Sequence, residues 1–168
     1  MGIVIGPLEA GCDRKSFTCG QTDLDDWFHR RAGQDQRRNI AKVFVAVDET
    51  LGVVGFYSLS SFTLDLKEIP PEIACKLPRY NLVPAAMIGR LARDERVRGK
   101  GIGELLLADA VRRVLVASRV LAVFTIVVEA KDERASKFYE GFGFCPLPLH
   151  PNRLFLLTSS AMAAVERA

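Results

Sequence analysis

Arg98-Gly99-Lys100-Gly101-Ile102-Gly103 is the stretch of this chain whose residue types and spacing point most directly to chemistry. This hexapeptide holds three glycines and two cations, and it follows an apolar run, Pro84–Ala92, at the start of an amphipathic one near Gly101. A strand, a tight turn and a helix in that order leave unpaired backbone N–H groups at the positive end of a helix dipole. That arrangement suits a pyrophosphate. Glycine lets the backbone approach an anion closely, and Arg98 and Lys100 add charge. The spacing is not G-x-x-x-x-G-K-[ST], which argues against a P-loop. Nor is it G-x-G-x-x-G with a ribose-binding acid downstream, which argues against a dinucleotide fold.

Other residues could do chemistry by accumulation. Arg30, Arg31, Arg37, Arg38 and Lys42 form one basic cluster; Arg90, Arg93, Arg96, Arg98 and Lys100 form a second. Such clusters attract phosphates, although for any single member a solvated helix face is the plainer reading. Cys12, Cys19, Cys75 and Cys145 are scattered, with no C-x-x-C pair and only His29 and His150 to assist. They read as reduced packing residues, with neither a zinc site nor a disulfide framework. Both histidines read as surface or structural groups. Glu129 reads as a surface carboxylate paired with Lys131.

The elements that must position these residues follow from periodicity and punctuation. Ile3–Leu8 reads as a strand, and Thr22 or Asp23 as the cap of a helix over Leu24–Arg38, with Leu24, Trp27, Phe28 and Ala32 on one face. Lys42–Val47 and Gly52–Ser61 read as a hairpin turning at Asp48–Leu51. Pro70 and Pro71 open a short helix, and Pro78–Leu82 is loop. Pro84–Ala92 is a central strand. Gly101–Ser118 is a helix with Ile102, Leu105, Leu106, Val111, Val114 and Leu115 mostly inward. Val120–Val128 is a β-branched run read as a buried strand. Asp132 caps a helix over Asp132–Glu140, broken by Gly141 and Gly143; Phe142–Cys145 and Arg153–Leu157 close the sheet.

This succession is an α/β (α+β) domain around one mixed sheet. At 168 residues the chain forms a single domain, residues 1–168, with a real core. With 49% hydrophobic and 26% charged residues it is an ordinary globular protein rather than a disordered one. No apolar run is long enough to cross a bilayer, and the N-terminus lacks a charged start and long apolar stretch, so no membrane role and a cytoplasmic setting are expected. Gly6 stands where a myristoylation motif after Met1-Gly2 wants Ser or Thr.

Arg98-x-x-Gly101-x-Gly103 resembles the R/Q-x-x-G-x-G/A signature of GNAT acetyltransferases. Ala130–Phe144, AKDERASKFYEGFGF, is similar to that family's later segment, in which a helix carries a tyrosine before a G-F strand. Phe17, Cys19, Gly20, Leu24, Trp27 and Phe28 match the F-x-C-G-x-x-x-L-x-x-[WF] opening of GNAT toxins from bacterial toxin–antitoxin operons. The same residues also suit a turn and the core face of a helix.

The resemblance implies a GNAT fold: a mixed, mostly antiparallel central sheet splayed in its middle and flanked by helices. It implies acetyl-CoA as cosubstrate and no metal. Backbones at Leu91, Ala92 and Arg93 would hold the pantetheine. Val97, Arg98, Gly99, Lys100, Gly101, Ile102, Gly103 and Glu104 would hold the pyrophosphate, and Phe138 and Tyr139 would lie near the thioester. Tyr139 is the expected general acid for the departing thiolate, with the carbonyl polarised by backbone N–H near Leu91–Ala92. The subfamily implies acetylation of the α-amino group of aminoacyl-tRNA, a block to translation, a ribbon-helix-helix antitoxin, repression on operator DNA with that antitoxin, and a homodimer. Arg30, Arg31, Arg37, Arg38, Arg79 and Arg90 are the candidate tRNA contacts. Two alternatives keep the coenzyme features: a GNAT enzyme acting on a small amine or protein amine, and a non-catalytic coenzyme-binding regulator.

Overall fold

Seven strands and six α-helices are found among the residues that the computed structural model describes, 2–77 and 79–167. Pro78, the first residue of the expected 78–82 loop, and Met1 lie outside them. The strands are β1 (Ile3–Pro7), β2 (Lys42–Asp48), β3 (Gly52–Asp65), β4 (Leu82–Arg93), β5 (Thr125–Glu129), β6 (Cys145–Leu147) and β7 (His150–Leu157). The helices are α1 (Thr22–Arg30), α2 (Ala32–Arg37), α3 (Pro71–Ala74), α4 (Ile102–Ala117), α5 (Glu133–Gly141) and α6 (Thr158–Arg167). The strands are hydrogen-bonded in the order β1-β2-β3-β4-β5-β7-β6. The pairs β1–β2, β2–β3, β5–β7 and β6–β7 are antiparallel, and β4 runs parallel to β5. The parallel ladder extends from Ala85–Thr125 to Ile88–Val128. Beyond that rung β4 continues through Arg93.

The chain divides into two compact units. The first comprises Met1–Ser60 and Gly89–Arg112. Its core is aromatic: Phe28 stacks on Phe56 at 4.2 Å between centroids, Phe17 meets both edge-on, and Trp27 lies 5.8 Å from Phe56. Offset and edge-to-face ring pairs add to simple area burial. Asp48 closes the β2–β3 hairpin by accepting the N–H groups of Thr50 and Leu51, as an aspartate-led turn should. Along α4, Ile102, Leu106, Leu107 and Ala110 are buried. A Cβ on Gly55 of β3 would meet Leu106 Cδ1 at 2.8 Å, so this glycine permits the helix to lie close on the strand. The second unit comprises Ser61–Ile88 and Arg113–Ala168. Leu64, Ile69, Val83, Ala85, Met87, Val127, Leu147 and Phe155 form its core.

Several expectations are corrected. The helix over 24–38 is two helices, interrupted at Arg31 (φ −116°, ψ −24°). Poor helix propensity at Gly33 weakens the continuation, and the Trp27 indole N–H donates to Asp35 across the break at 2.9 Å. Gln21 is the N-cap, without a side-chain bond; Thr22 and Asp23 are already helical. The 120–128 run is strand only from Thr125. Val120 and Leu121 are 90% and 68% exposed, and their N–H groups bond back to Ala117 O as the last turn after α4. Leu105 is exposed, while Leu107 and Ala110 take the inward positions. Residues 142–144 end α5 rather than begin a strand. Phe142, Gly143 and Phe144 N–H groups bond back to Tyr139 and Glu140, with Gly143 at φ +103°. Cys75 and Cys145 are exposed and are not packing residues. Glu129 pairs with Arg153 at 2.8 Å, its cross-strand neighbour on β7, and not with Lys131.

Candidate active site

The turn between β4 and α4 is organised by a carboxylate. Asp94 has no exposed surface. Its side chain accepts from Arg96 N (2.8 Å), Arg96 Nε (2.8 Å), Arg96 Nη2 (3.0 Å) and Thr18 N (3.1 Å). Burial pushes its pKa up, but the Arg96 side chain, Arg96 N and Thr18 N outweigh that and hold the carboxyl below its ordinary range. Asp94 thereby starts a single 3-10 turn, Glu95–Val97. The same carboxylate ties the turn to the N-terminal segment, where Glu95 N donates to Thr18 O at 2.9 Å. On the other side of that segment Asp25 accepts from Cys19 N and Thr18 Oγ1. Phe17 is 1% exposed within the aromatic core. The N-terminal motif therefore buttresses the turn.

Past this anchor the backbone is open. Gly99 and Gly101 adopt φ +77° and +76°, values that side-chain-bearing residues avoid. Val97 and Ile102 are buried on either side, whereas Arg98, Gly99, Lys100 and Gly101 are exposed. Leu105 N donates to Gly101 O at 3.1 Å, so the amides of Ile102, Gly103 and Glu104 precede the first bond of α4 and have no intrahelical acceptor. A Cβ on Gly99 would meet nothing within 4 Å, and one on Gly101 only the Glu104 carboxylate at 3.9 Å. Three free amides, the dipole of a 16-residue helix and two exposed cations make a donor set that fits a diphosphate. The structure thus brings residues 97–104 together, on the same unit as Leu91, Ala92 and Arg93 of β4.

Phe138 and Tyr139 belong to the other unit, on α5. Asp132 caps that helix by accepting from Ala135 N at 2.8 Å. Tyr139 is 7% exposed, edge-on to Phe138 (5.4 Å) and Phe144 (5.9 Å). Burial pushes its phenol pKa up to about 12, so the hydroxyl keeps its proton at any physiological pH. Arg79 is exposed in the same unit.

The acetyltransferase (GNAT) domain model matches residues 39–146. A probable toxin TacT of Sinorhizobium fredii is 32% identical over 162 residues, covering 91% of this chain and 90% of its own. A tRNA-acetylating toxin of Mycobacterium tuberculosis is 33% identical over 153 residues, with the same coverage of 91% and 90%. The chain belongs to the GNAT acetyltransferase family. Among solved members, AtaT complexed with acetyl-methionyl-tRNAfMet superposes with a TM-score of 0.91 at 28% identity, covering 98% of this chain and 99% of that one. A tyrosine-to-phenylalanine mutant of KacT does so with 0.91 at 27% identity over 98% and 99%. AtaTR bound with acetyl-CoA matches at 0.84 and 29% over 97% and 98%.

As a GNAT member the chain is an acetyl-CoA-dependent N-acetyltransferase, and its basic residues separate into distinct settings. Arg30, Arg31, Arg37 and Arg38 are exposed on α1, α2 and their junctions. Arg90 is half-buried, its guanidinium 4.1 Å from the Trp27 ring centroid. Burial lowers its pKa, with Asp35 raising and Arg31 lowering it. Arg96 is committed to Asp94. His29 is structural, its Nε2 2.8 Å from Phe17 O, and His150 lies 3.0 Å from Glu68. Among the described residues no group of three or more His, Cys, Asp or Glu is placed to hold a metal, and no helix is long and apolar enough to cross a membrane.

Asp94 escaped the sequence reading. Its signal was an aspartate placed directly after a strand and ahead of the glycine turn, the position of a cap. Tyr57–Asp109 was missed too: a buried phenol donates to a buried carboxylate on α4, which also takes Arg112 at 2.6 Å. Neither partner carries a motif, and only the fold joins them.

Proposed function

We propose that this enzyme transfers acetyl from acetyl-CoA to the α-amino group of an aminoacyl-tRNA and is the translation-blocking toxin of a toxin–antitoxin pair. The open amide turn at residues 98–103 carries the coenzyme half of the reading. The acceptor half is supported by likeness, over nearly the whole chain, to proteins described as tRNA-acetylating or as holding an acetylated aminoacyl-tRNA. Residues 1–168 act as one GNAT domain, in keeping with the coverage of the solved relatives.

Acetyl-CoA supplies an activated acyl group. Residues 97–104 hold its diphosphate, and the backbone of Leu91, Ala92 and Arg93 orients the pantetheine and polarises the carbonyl. Phe138 shields the thioester from water. The acceptor must be a neutral amine. An α-amine of pKa about 8 is roughly a tenth neutral at pH 7, whereas a lysine near 10.4 is about 250-fold less so. A site without a strong base therefore favours the α-amine. Tyr139 donates to the departing sulfur. Burial holds its pKa up at about 12, so the phenol keeps its proton as charge builds on the sulfur. The phenol therefore stabilises the sulfur by a hydrogen bond, and the nitrogen's own proton balances the reaction. Solved relatives carrying a tyrosine-to-phenylalanine change fit a tyrosine of this importance.

Arg30, Arg31, Arg37, Arg38 and Arg79 meet tRNA phosphates, and Arg90, fixed on Trp27, does so from a set position. Relatives described as bound to an antitoxin C-terminus and, as KacTA, to DNA support an antitoxin partner and a role with it on DNA; in this reading the antitoxin is a ribbon-helix-helix protein, the toxin a cytoplasmic homodimer and the pair a repressor. Incubation with labelled acetyl-CoA and total charged tRNA should yield acetylated aminoacyl-adenosine after nuclease digestion. Label on a small amine or on protein, with none on tRNA, would overturn the acceptor.

A further inference from the structure

A second basic site lies apart from the glycine turn, on the segment between β1 and α1. Cys12, Asp13, Arg14, Lys15 and His29 line a solvent-open cavity of about 530 Å³, a volume in the range of small-ligand sites. Arg14 is its distinctive member. Its guanidinium sits 5.7 Å from the Phe28 ring centroid, and its buried Nη1 has no hydrogen-bond partner among the described residues. A buried cationic donor without an acceptor is costly and needs an explanation.

A second guanidinium approaches the first. The position a Cβ would take on Gly33 is 3.3 Å from Arg37 Nη1 and 3.6 Å from Arg14 Nη2, so the two nitrogens are at most about 7 Å apart. No ion pair neutralises either of them among the described residues. The carboxylate in the cavity, Asp13, accepts Lys15 N through Oδ1 at 3.0 Å. His29 gives its Nε2 hydrogen to Phe17 O, which fixes the ring. Burial raises the Cys12 thiol pKa, so that residue brings no anionic charge.

We infer that Arg14, Lys15 and Arg37 form a binding site for a backbone phosphodiester of the RNA substrate. The inference rests on the aminoacyl-tRNA reading and adds a contact to it. A carboxylate is planar and is satisfied by one guanidinium fork, whereas a phosphate offers oxygens in several directions and suits two guanidinium groups with an ammonium. The cavity also has room for the nucleotide beside that phosphate.

The test is titration of total aminoacyl-tRNA against full-length wild type, Arg14→Gln and Lys15→Gln, at several salt concentrations, alongside the acetyl-CoA KM. Each variant should weaken tRNA binding about tenfold and reduce the salt slope by about one, with the acetyl-CoA KM unmoved. Lys15 is exposed, so its variant reports even if Arg14→Gln fails to fold. Wild-type affinity and slope in Lys15→Gln, and in Arg14→Gln if it folds, would overturn the site while leaving the tRNA reading intact. Weakened binding of an antitoxin C-terminal peptide, with tRNA binding unchanged, would overturn it in favour of an acidic peptide. Failure of the wild type itself to bind tRNA would overturn both readings, and that outcome is visible without any variant.

Discussion

Tyr139 concentrates the chemical argument at the residue scale. Its ring is packed between Phe138 and Phe144, so removing the hydroxyl leaves the packing in place. Tyr139→Phe should lower kcat at least tenfold with the acetyl-CoA KM unchanged; an unaltered kcat would remove the phenol from the reaction. The pH profile follows from the same group. A pKa of about 12 keeps the phenol protonated well beyond pH 9, so the wild-type rate should rise from pH 6 to 8 as the acceptor amine loses its proton, with no loss from tyrosine ionisation. Tyr139 was legible in the sequence only through likeness to a family. Nothing in its local spacing distinguishes a reactive phenol from a core aromatic. The partner of Glu129 was illegible for a different reason, because the cross-strand neighbour Arg153 is 24 residues away, whereas Lys131 is near only along the chain.

The start of α4 is the element to which we assign coenzyme binding. Gly101→Asp would force a side chain into a φ of +76° and put a negative charge among amides that await a diphosphate. Coenzyme affinity should fall at least tenfold, measurable by calorimetry; an unchanged Kd would mean that the turn holds something else. This element was readable because glycine and charge mark it locally. Elements that depend on distant partners were less so. Val120 and Leu121 have strand-like side chains, yet backbone bonds to Ala117 outweigh that preference. The 158–167 helix went unread although its alanines, methionine, glutamate and arginine all favour a helix. The break at Arg31 depends on an indole reaching Asp35, a tertiary event that no helical period announces.

For the whole molecule, the formal charge of +3 understates the field it offers to a polyanion, because the cations are concentrated. If four exposed arginines, Arg30, Arg31, Arg37 and Arg38, each neutralise one phosphate, the logarithmic salt slope is roughly −2.8 to −3.6. Raising salt from 50 to 200 mM should then weaken tRNA binding on the order of 50- to 150-fold in a filter-binding assay. A slope near zero would show that these arginines are merely solvated.

Thr18 and Asp94 meet although 76 residues separate them. Two stretches so joined must be inherited together, since a change in the opening motif reaches the turn proposed to hold the donor without touching any ligand. A shortened or foreign N-terminus would thus be felt first as poor retention of acetyl-CoA, and a lineage that recast its opening segment would need to rebuild the turn after β4 as well.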